Sequence, residues 1–371
     1  MDSKKLKVLF VLPTFSKKGA GVTEAPKGLA LKLNENPKLE IHAIALEDEL
    51  THEDIDSWAP IRVHPVQGLI GGFVRRLDQL LKQIKPDVIH IHGLWVGLGI
   101  QAGHWAMKMK VPYILSPHGM MDAWAWKKSG IKKAIYYLLL QKRVLLNAKL
   151  LHALNQEEAD SIQSIVPSQT LLIQPNGIDI DLFKRAQYDN AKRSTLLFLG
   201  RLDPKKSVLE LIRVWKELVN EIPEFSWELE IAGSGHSKYE EQLKAEAGAL
   251  LGEDIYFTGH VSGEKKVHCF ENASAFILPS KSEGLPVAIL EAWASALPVA
   301  MTEACNLSEA LELKLAHKID IEDASFKDSL KAFLNLSQSE LKSLGEQSHD
   351  YVKKYYSWNH IADAFYEVYK R

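Results

Sequence analysis

The chain has 371 residues, room for two domains with separate cores, and its 46% apolar and 25% charged content is that of an ordinary soluble protein. A net charge of −2 excludes a global field that draws the chain to nucleic acid. Two cysteines, Cys269 and Cys305, without a CxxC spacing argue against a disulfide framework or zinc site and fit a reducing compartment.

The apolar run 6–12 is too short for a signal-peptide core and reads as a first strand, and no run of ~20 apolar residues is present to span a membrane. In chain order, further short apolar runs predict strands at 41–46, 88–92, 113–116, 150–154 and 171–174. Amphipathic runs between them predict helices at 23–33, 72–83, 99–110 and 131–147. The segment 175–194 is polar, carries turn chemistry at Pro175-Asn176-Gly177 and is the best boundary. The pattern then restarts, with strands at 196–200, 228–232, 255–258, 276–279 and 298–301 and helices at 208–221, 239–249 and 287–296. Such alternation predicts α/β architecture: parallel sheets covered by helices, in two Rossmann-like domains facing each other across a cleft. The first is expected over 1–180 with a C-terminal helix at 357–371, and the second over 181–356.

Four segments of the second half follow predicted strand ends, where open α/β sheets bind ligands. Gly200-Arg201-Leu202-Asp203-Pro204-Lys205-Lys206-Ser207 places a guanidinium and an ammonium on one loop, as a diphosphate requires. Ala232-Gly233-Ser234-Gly235 permits a tight turn and close backbone approach, and Thr258-Gly259-His260-Val261 offers backbone to a base edge. The fourth, Ser282-Glu283-Gly284-Leu285-Pro286-Val287-Ala288-Ile289-Leu290-Glu291, reads as a turn running into a helix. At the helical rise of ~1.5 Å per residue its two carboxylates stand about 12 Å apart, suited to two hydroxyl-bearing groups with a diphosphate between them. The helix N-terminus offers N–H groups to phosphate. Each segment alone is more often the product of solvated loops, ordinary turns or surface glutamates at a helix start; their order is what carries weight.

That order, with Pro175-Asn176-Gly177-Ile178-Asp179 before it and Pro279-Ser280 within it, resembles retaining family-4 glycosyltransferases of the GT-B fold, the glycosyl transferases group 1. The resemblance covers nearly the whole chain. It implies that Arg201 and Lys206 bind the donor diphosphate, that Glu283 contacts the transferred sugar, and that Glu291 holds the ribose hydroxyls. Gly284 and Leu285 would face sugar and phosphates, and Gly233, His260 and Val261 complete the donor set. It also implies that the C-terminal helix returns to the first domain and that the domains close around the donor.

In the first half, Gly19-Ala20-Gly21-Val22 precedes a helix, and Gly21 is a candidate phosphate contact, although relatives often carry adjacent glycines there. His118, in Ser116-Pro117-His118-Gly119, matches a position beside the transferred sugar in many relatives; a strand-end histidine is also an ordinary structural hydrogen-bonder. His92 and Asp122 join it as candidate acceptor contacts. No acidic residue occurs from 123 to 156, while Lys127, Lys128, Lys132, Lys133, Lys142, Arg143 and Lys149 lie there with Trp124, Trp126, Tyr136 and Tyr137. Segment 127–149 is therefore a candidate contact with an anionic membrane surface, or a core-facing helix with a solvated basic face. Asp54-Ile55-Asp56 and Asp179-Ile180-Asp181 are read as chance and turn chemistry, so no metal is expected.

The expected protein is a metal-independent, retaining, hexosyltransferase-type enzyme with no cofactor beyond its co-substrate. It moves a sugar from a nucleoside-diphosphate-sugar to a hydroxyl of a saccharide or lipid-linked saccharide, in surface-polysaccharide or glycolipid assembly. The expected location is cytoplasmic, with the inner membrane face as a place of peripheral contact. Another GT-B nucleotide-sugar enzyme such as an epimerase, or a non-catalytic sugar-nucleotide-binding protein, remains as the alternative.

Overall fold

The computed structural model of the chain describes residues 4–121, 136–185 and 194–371, except for the side chains of Asp323 and Ala324. Asp122, Trp124, Trp126 and the 127–135 part of the basic segment lie outside the described residues. The chain separates into two compact units: Met1–Gly177 together with Trp358–Arg371, and Ile178–Ser357.

The first unit holds β1 (Leu6–Thr14), β2 (Leu39–Leu46), β3 (Arg62–Val66), β4 (Val88–His92), β5 (Tyr113–Ser116), β6 (Leu150–Ala153) and β7 (Leu171–Ile173). They form one parallel sheet in the order β3-β2-β1-β4-β5-β6-β7. Central strand β1 is apolar at every position from Val8 to Leu12 because both faces are buried. Leu9 and Val11 enter one core with Leu98 and Ala102 of the helix Gly97–Met109, while Val8 and Phe10 enter the other with Leu29 and Leu33. Strand β4 obeys the same alternation: Ile89 and Ile91 join the first core, and His90 and His92 lie on the face of Phe10.

The helix Trp358–Lys370 belongs to this unit. Ile361, Phe365 and Tyr369 recur at i, i+4 and i+8 and enter the Phe10 core. Its first residue, Trp358, lies between two glycines. A Cβ on Gly28 would sit 2.5 Å, and one on Gly177 2.3 Å, from atoms of the indole.

The second unit holds β8 (Ser194–Leu199), β9 (Trp227–Ala232), β10 (Ile255–Gly259), β11 (Ala275–Leu278), β12 (Val299–Met301) and β13 (His317–Lys318). Their parallel order is β10-β9-β8-β11-β12-β13. Both sheets thus follow the Rossmann sequence of strands, with order reversing between β1 and β4 and between β8 and β11.

Several elements differ from expectation. The helix predicted at 72–83 begins only at Leu77, because Gly71, Gly72 and Arg76 take positive φ and turn the chain first. Within 131–147 the described part is a π-helical turn, Tyr137–Gln141, continued by the helix Lys142–Leu146. Asp54 and Asp56, read as turn chemistry, lie in short helical turns. Glu283 precedes the helix Val287–Ala294, so a helical rise does not set its distance from Glu291. Strand β3, half-exposed and carrying Pro65, has no apolar run to reveal it.

Substituting Gly177→Ala is expected to destabilise the protein by about 1–3 kcal/mol through overpacking against Trp358. Gly21→Ala, whose Cβ meets nothing within 4 Å, serves as the near-neutral control in urea unfolding.

Candidate active site

In the second unit, the loops after β8 and β11 flank the point where strand order reverses. Asp203 starts the turn Pro204–Lys206 by accepting from the Lys205 N–H at 3.0 Å. Backbone bonds stitch neighbouring loops together: Gly200 N–H to Ala232 O (3.0 Å), Leu202 N–H to Ser234 O (2.9 Å) and Gly233 N–H to Gly259 O (2.7 Å). A Cβ on Gly233, which has φ +145°, would stand 1.8 Å from the Gly200 carbonyl oxygen, so this approach requires glycine. The N–H of Gly233 is committed to that stitching.

Lys281 N–H donates to Lys205 O at 2.7 Å and joins the β8 loop to the β11 loop. Across that junction the Lys206 ammonium pairs with Glu283 Oε1, both side chains being largely buried. Four further contacts hold Glu283 and its loop. Ser280 Oγ donates to Oε1 at 2.5 Å, Asn306 Nδ2 donates to the Glu283 carbonyl at 2.5 Å, and Glu283 N–H donates to Ala304 O at 3.0 Å. Thr302 Oγ1 donates to Ser280 O at 2.5 Å. Arg201 is exposed, and among the described residues its guanidinium has no carboxylate partner. Gly284 and His260 are exposed, and Leu285 and Val261 pack half-buried on the core.

The helix Val287–Ala294 starts after Pro286, with no side chain capping its N-terminus. Glu291 lies on its buried side, 7% exposed. Burial raises its pKa, opposed by Lys266, whose Nζ lies 2.5 Å from Oε1. Lys266 was not among the sequence candidates. Its helix, Gly263–Asn272, is polar enough to read as surface, and only its place after the Gly259-His260-Val261 strand end hints at the site.

In the first unit, Gly21 opens the helix Gly21–Asn34 and faces open space. His118 sits in a left-handed turn at φ +54°. The buried Glu158 carboxylate braces that turn, accepting from Gly119 N–H at 2.6 Å and Leu154 N–H at 2.8 Å. His118 Nε2 lies 3.0 Å from His92 Nδ1. His92 stacks on Phe10, and its buried Nε2 has no hydrogen-bond partner.

Beside this pair runs a second chain whose polarity follows from its end. Gln174 O can only accept, so His152 Nε2 donates to it (2.7 Å) and neutral Nδ1 accepts from Ser116 Oγ (2.7 Å). Ser116 Oγ then accepts from His90 Nε2 (2.7 Å), and His90 Nδ1 accepts from Tyr369 O–H (2.7 Å). Burial lowers the pKa of all four histidines, His118 to about 3 and His152 to about 4, the latter opposed by its bond to Gln174. These side chains are neutral at physiological pH, so His118 acts there as a hydrogen-bonding group and not as a cation.

Two parallel sheets in Rossmann order, the second bearing a cation–carboxylate pair at its reversal point, are the architecture of GT-B glycosyltransferases. The comparisons agree. Residues 37–182 match the family model Glycosyltransferase Family 4, and residues 193–336 match Glycosyl transferases group 1. The chain belongs to the family-4, group 1 glycosyltransferases.

It is 30% identical over 240 residues to a 2-deoxystreptamine N-acetyl-D-glucosaminyltransferase of Niallia circulans, covering 60% of this chain and 59% of that one. It is 25% identical to a lipopolysaccharide 1,2-N-acetylglucosaminetransferase of Salmonella typhimurium, covering 55% and 58%. The match thus spans less than two thirds of either relative. Among solved structures, Anabaena HepE in complex with UDP superposes with a TM-score of 0.72 at 14% identity, over 98% of this chain and all of that one. Among the described residues, no group of three or more His, Cys, Asp or Glu side chains is placed to hold a metal ion, and no helix is long and apolar enough to cross a membrane.

Because the four histidines are neutral when folded but titrate near 6.5 when unfolded, the unfolded chain binds the extra protons as pH falls. Stability is therefore expected to drop between about pH 6.5 and 4, by up to about 1.4 kcal/mol per pH unit for each histidine. Urea midpoints from pH 7.5 to 5 should fall, with a shallower slope in His152→Gln; a flat profile would show the native histidines taking up protons in place.

Proposed function

We propose that the protein transfers a sugar from a nucleoside-diphosphate-sugar to a hydroxyl of a saccharide or lipid-linked saccharide, with retention of configuration and without a metal ion. The observation that carries this reading is the Lys206–Glu283 pair at the reversal point of the second sheet, next to the unpartnered Arg201. In this reading the donor's diphosphate draws Lys206 away from Glu283 and takes Arg201 as a second cation. Glu283 is then released to the sugar hydroxyls, and Glu291 receives the ribose.

The bond from the anomeric carbon to the β-phosphate oxygen breaks first, its electron pair passing to that oxygen. Lys206, Arg201 and the open N-terminus of the helix Val287–Ala294 stabilise the growing charge. The acceptor oxygen bonds to the same face of the anomeric carbon, and its proton goes to the departing phosphate. His118, neutral by burial, serves in this reading as a hydrogen-bonding group for a sugar hydroxyl and not as a cation.

The relatives' names, which include a 2-deoxystreptamine N-acetyl-D-glucosaminyltransferase, a lipopolysaccharide 1,2-N-acetylglucosaminetransferase and an α-D-GlcNAc-diphosphoundecaprenol α-1,3-galactosyltransferase of Escherichia coli, support a saccharide or lipid-linked acceptor and a place in surface-polysaccharide or glycolipid assembly. Contact with an anionic membrane face through segment 127–149 is part of the same reading. Its described part carries exposed Lys142 and Arg143 with Leu138 and Leu139, which are 61% and 74% exposed.

Arg201→Ala, Lys206→Ala and Glu283→Ala are each expected to lower the transfer rate on the order of 10² to 10³ while the protein stays folded. Near-normal transfer by a folded variant removes that residue from the mechanism. Screening UDP-, GDP- and ADP-sugars by thermal unfolding should single out a donor that adds about 2.7 kcal/mol at 100-fold excess over its Kd. Transfer that survives EDTA and yields a product of retained anomeric configuration completes the test; interconversion of the donor sugar without acceptor would mark an epimerase instead.

A further inference from the structure

We propose that Lys266 is a positioning residue of the donor site: by holding Oε1 of Glu291, it turns the carboxylate so that Oε2 receives the diol of the donor's ribose. The inference rests on the nucleotide-sugar reading above and adds a residue to it.

The geometry is specific. Glu291 sits at the middle of a helix that is otherwise apolar, Val287–Ala294, with Ile289, Leu290, Ala292 and Trp293 buried around it. An ionised carboxylate in such a place needs a partner, because desolvation without one costs several kcal/mol. Lys266 supplies it from a separate helix, reaching Oε1 at 2.5 Å. Oε2 has no hydrogen-bond partner among the described residues.

Strands β11 (Ala275–Leu278) and β12 (Val299–Met301), which pack against this helix, carry no charged side chain. The helix Gln338–Tyr355 contributes the buried His349, whose Nδ1 is taken by Ala294 O at 2.9 Å. The charged group that acts on Glu291 is Lys266, from the helix Gly263–Asn272. The lysine side chain is 30% exposed, against 9% for Glu291. A ribose diol donates two hydrogen bonds; a carboxylate fixed by one oxygen offers the other at a set angle, and charge makes those bonds stronger than a neutral acid would.

Without Lys266 only burial acts on Glu291, and burial favours the protonated form. Nucleotide affinity should then fall off at a higher pH than in the wild type, since the protonated acid is the poorer acceptor. Arginine keeps the positive charge and should keep most of the affinity.

The test is calorimetric and needs no acceptor. Kd values of UDP, GDP and ADP, and of their 2′-deoxy counterparts, are measured from pH 5.5 to 8.5 on the wild type, Lys266→Met, Lys266→Gln and Lys266→Arg, with thermal unfolding as the folding check. In the methionine and glutamine variants the pH at which affinity halves should rise above that of the wild type. Preference for the ribose over the 2′-deoxyribose form should shrink at least fivefold. Lys266→Arg should resemble the wild type in both readouts. If the wild type binds none of the three diphosphates, the donor-site reading fails and this inference with it. If it binds one and the folded methionine and glutamine variants match its pH profile and ribose preference, only the role of Lys266 is overturned.

Discussion

The second unit is organised by the junction between the loops after β8 and β11. Parallel strands end with their backbone groups facing outward at the carboxyl edge, and at the reversal of strand order the flanking loops run in opposite directions, leaving room between them. Here that room is spanned by the Lys281–Lys205 backbone bond and the Lys206–Glu283 ion pair. Ser280, Thr302, Ala304 and Asn306 hold the carboxylate loop, so residues from three strand ends converge on one glutamate. Such a pair is costly to desolvate, and its value lies in holding two groups ready for a ligand more than in stabilising the empty protein. The stitched glycines serve the same end: Gly233 and Gly235 let loops approach to distances no side chain would tolerate.

The first unit uses neutral groups where the second uses charges. Its histidines lie on one face of β4 and at the ends of β5 and β6, and each bond in the Tyr369–His90–Ser116–His152–Gln174 chain fixes the direction of the next. A chain of this kind has no slack, because reversing one donor leaves a buried atom without a partner. It anchors Ser116, two residues before the turn that carries His118, to β4 and β6.

Much of this was legible in the sequence. Short runs such as 88–92 and 113–116 stand out because turn residues bound stretches rich in apolar and β-branched side chains, and their observed bounds are the predicted ones. The family-4 pattern was likewise readable, because Arg201, Lys206, Glu283 and Glu291 each follow a strand end at a characteristic spacing. What was not legible depends on tertiary contacts. Lys266 meets Glu291 only because two helices pack side by side, and a lysine in a polar helix carries no mark of its partner. The late start of the helix at Leu77 depends on backbone angles of Arg76 that no residue type announces. The helices Ser308–Glu312, Asp323–Leu334 and Gln338–Tyr355 lacked flanking strand signals, since β13 is only two residues long.

The return of the helix Trp358–Lys370 to the first sheet has a consequence for the order of events during synthesis. The core around Phe10 lacks Ile361, Phe365 and Tyr369 until those residues have been made, and His90 lacks its donor. The 180 residues of Ile178–Ser357 are made in between. At about 5–20 residues per second the ribosome takes roughly 10–40 s to cross that interval. Throughout it, a wide strip of the first sheet waits uncovered, so the unit that is begun first is also the one completed last.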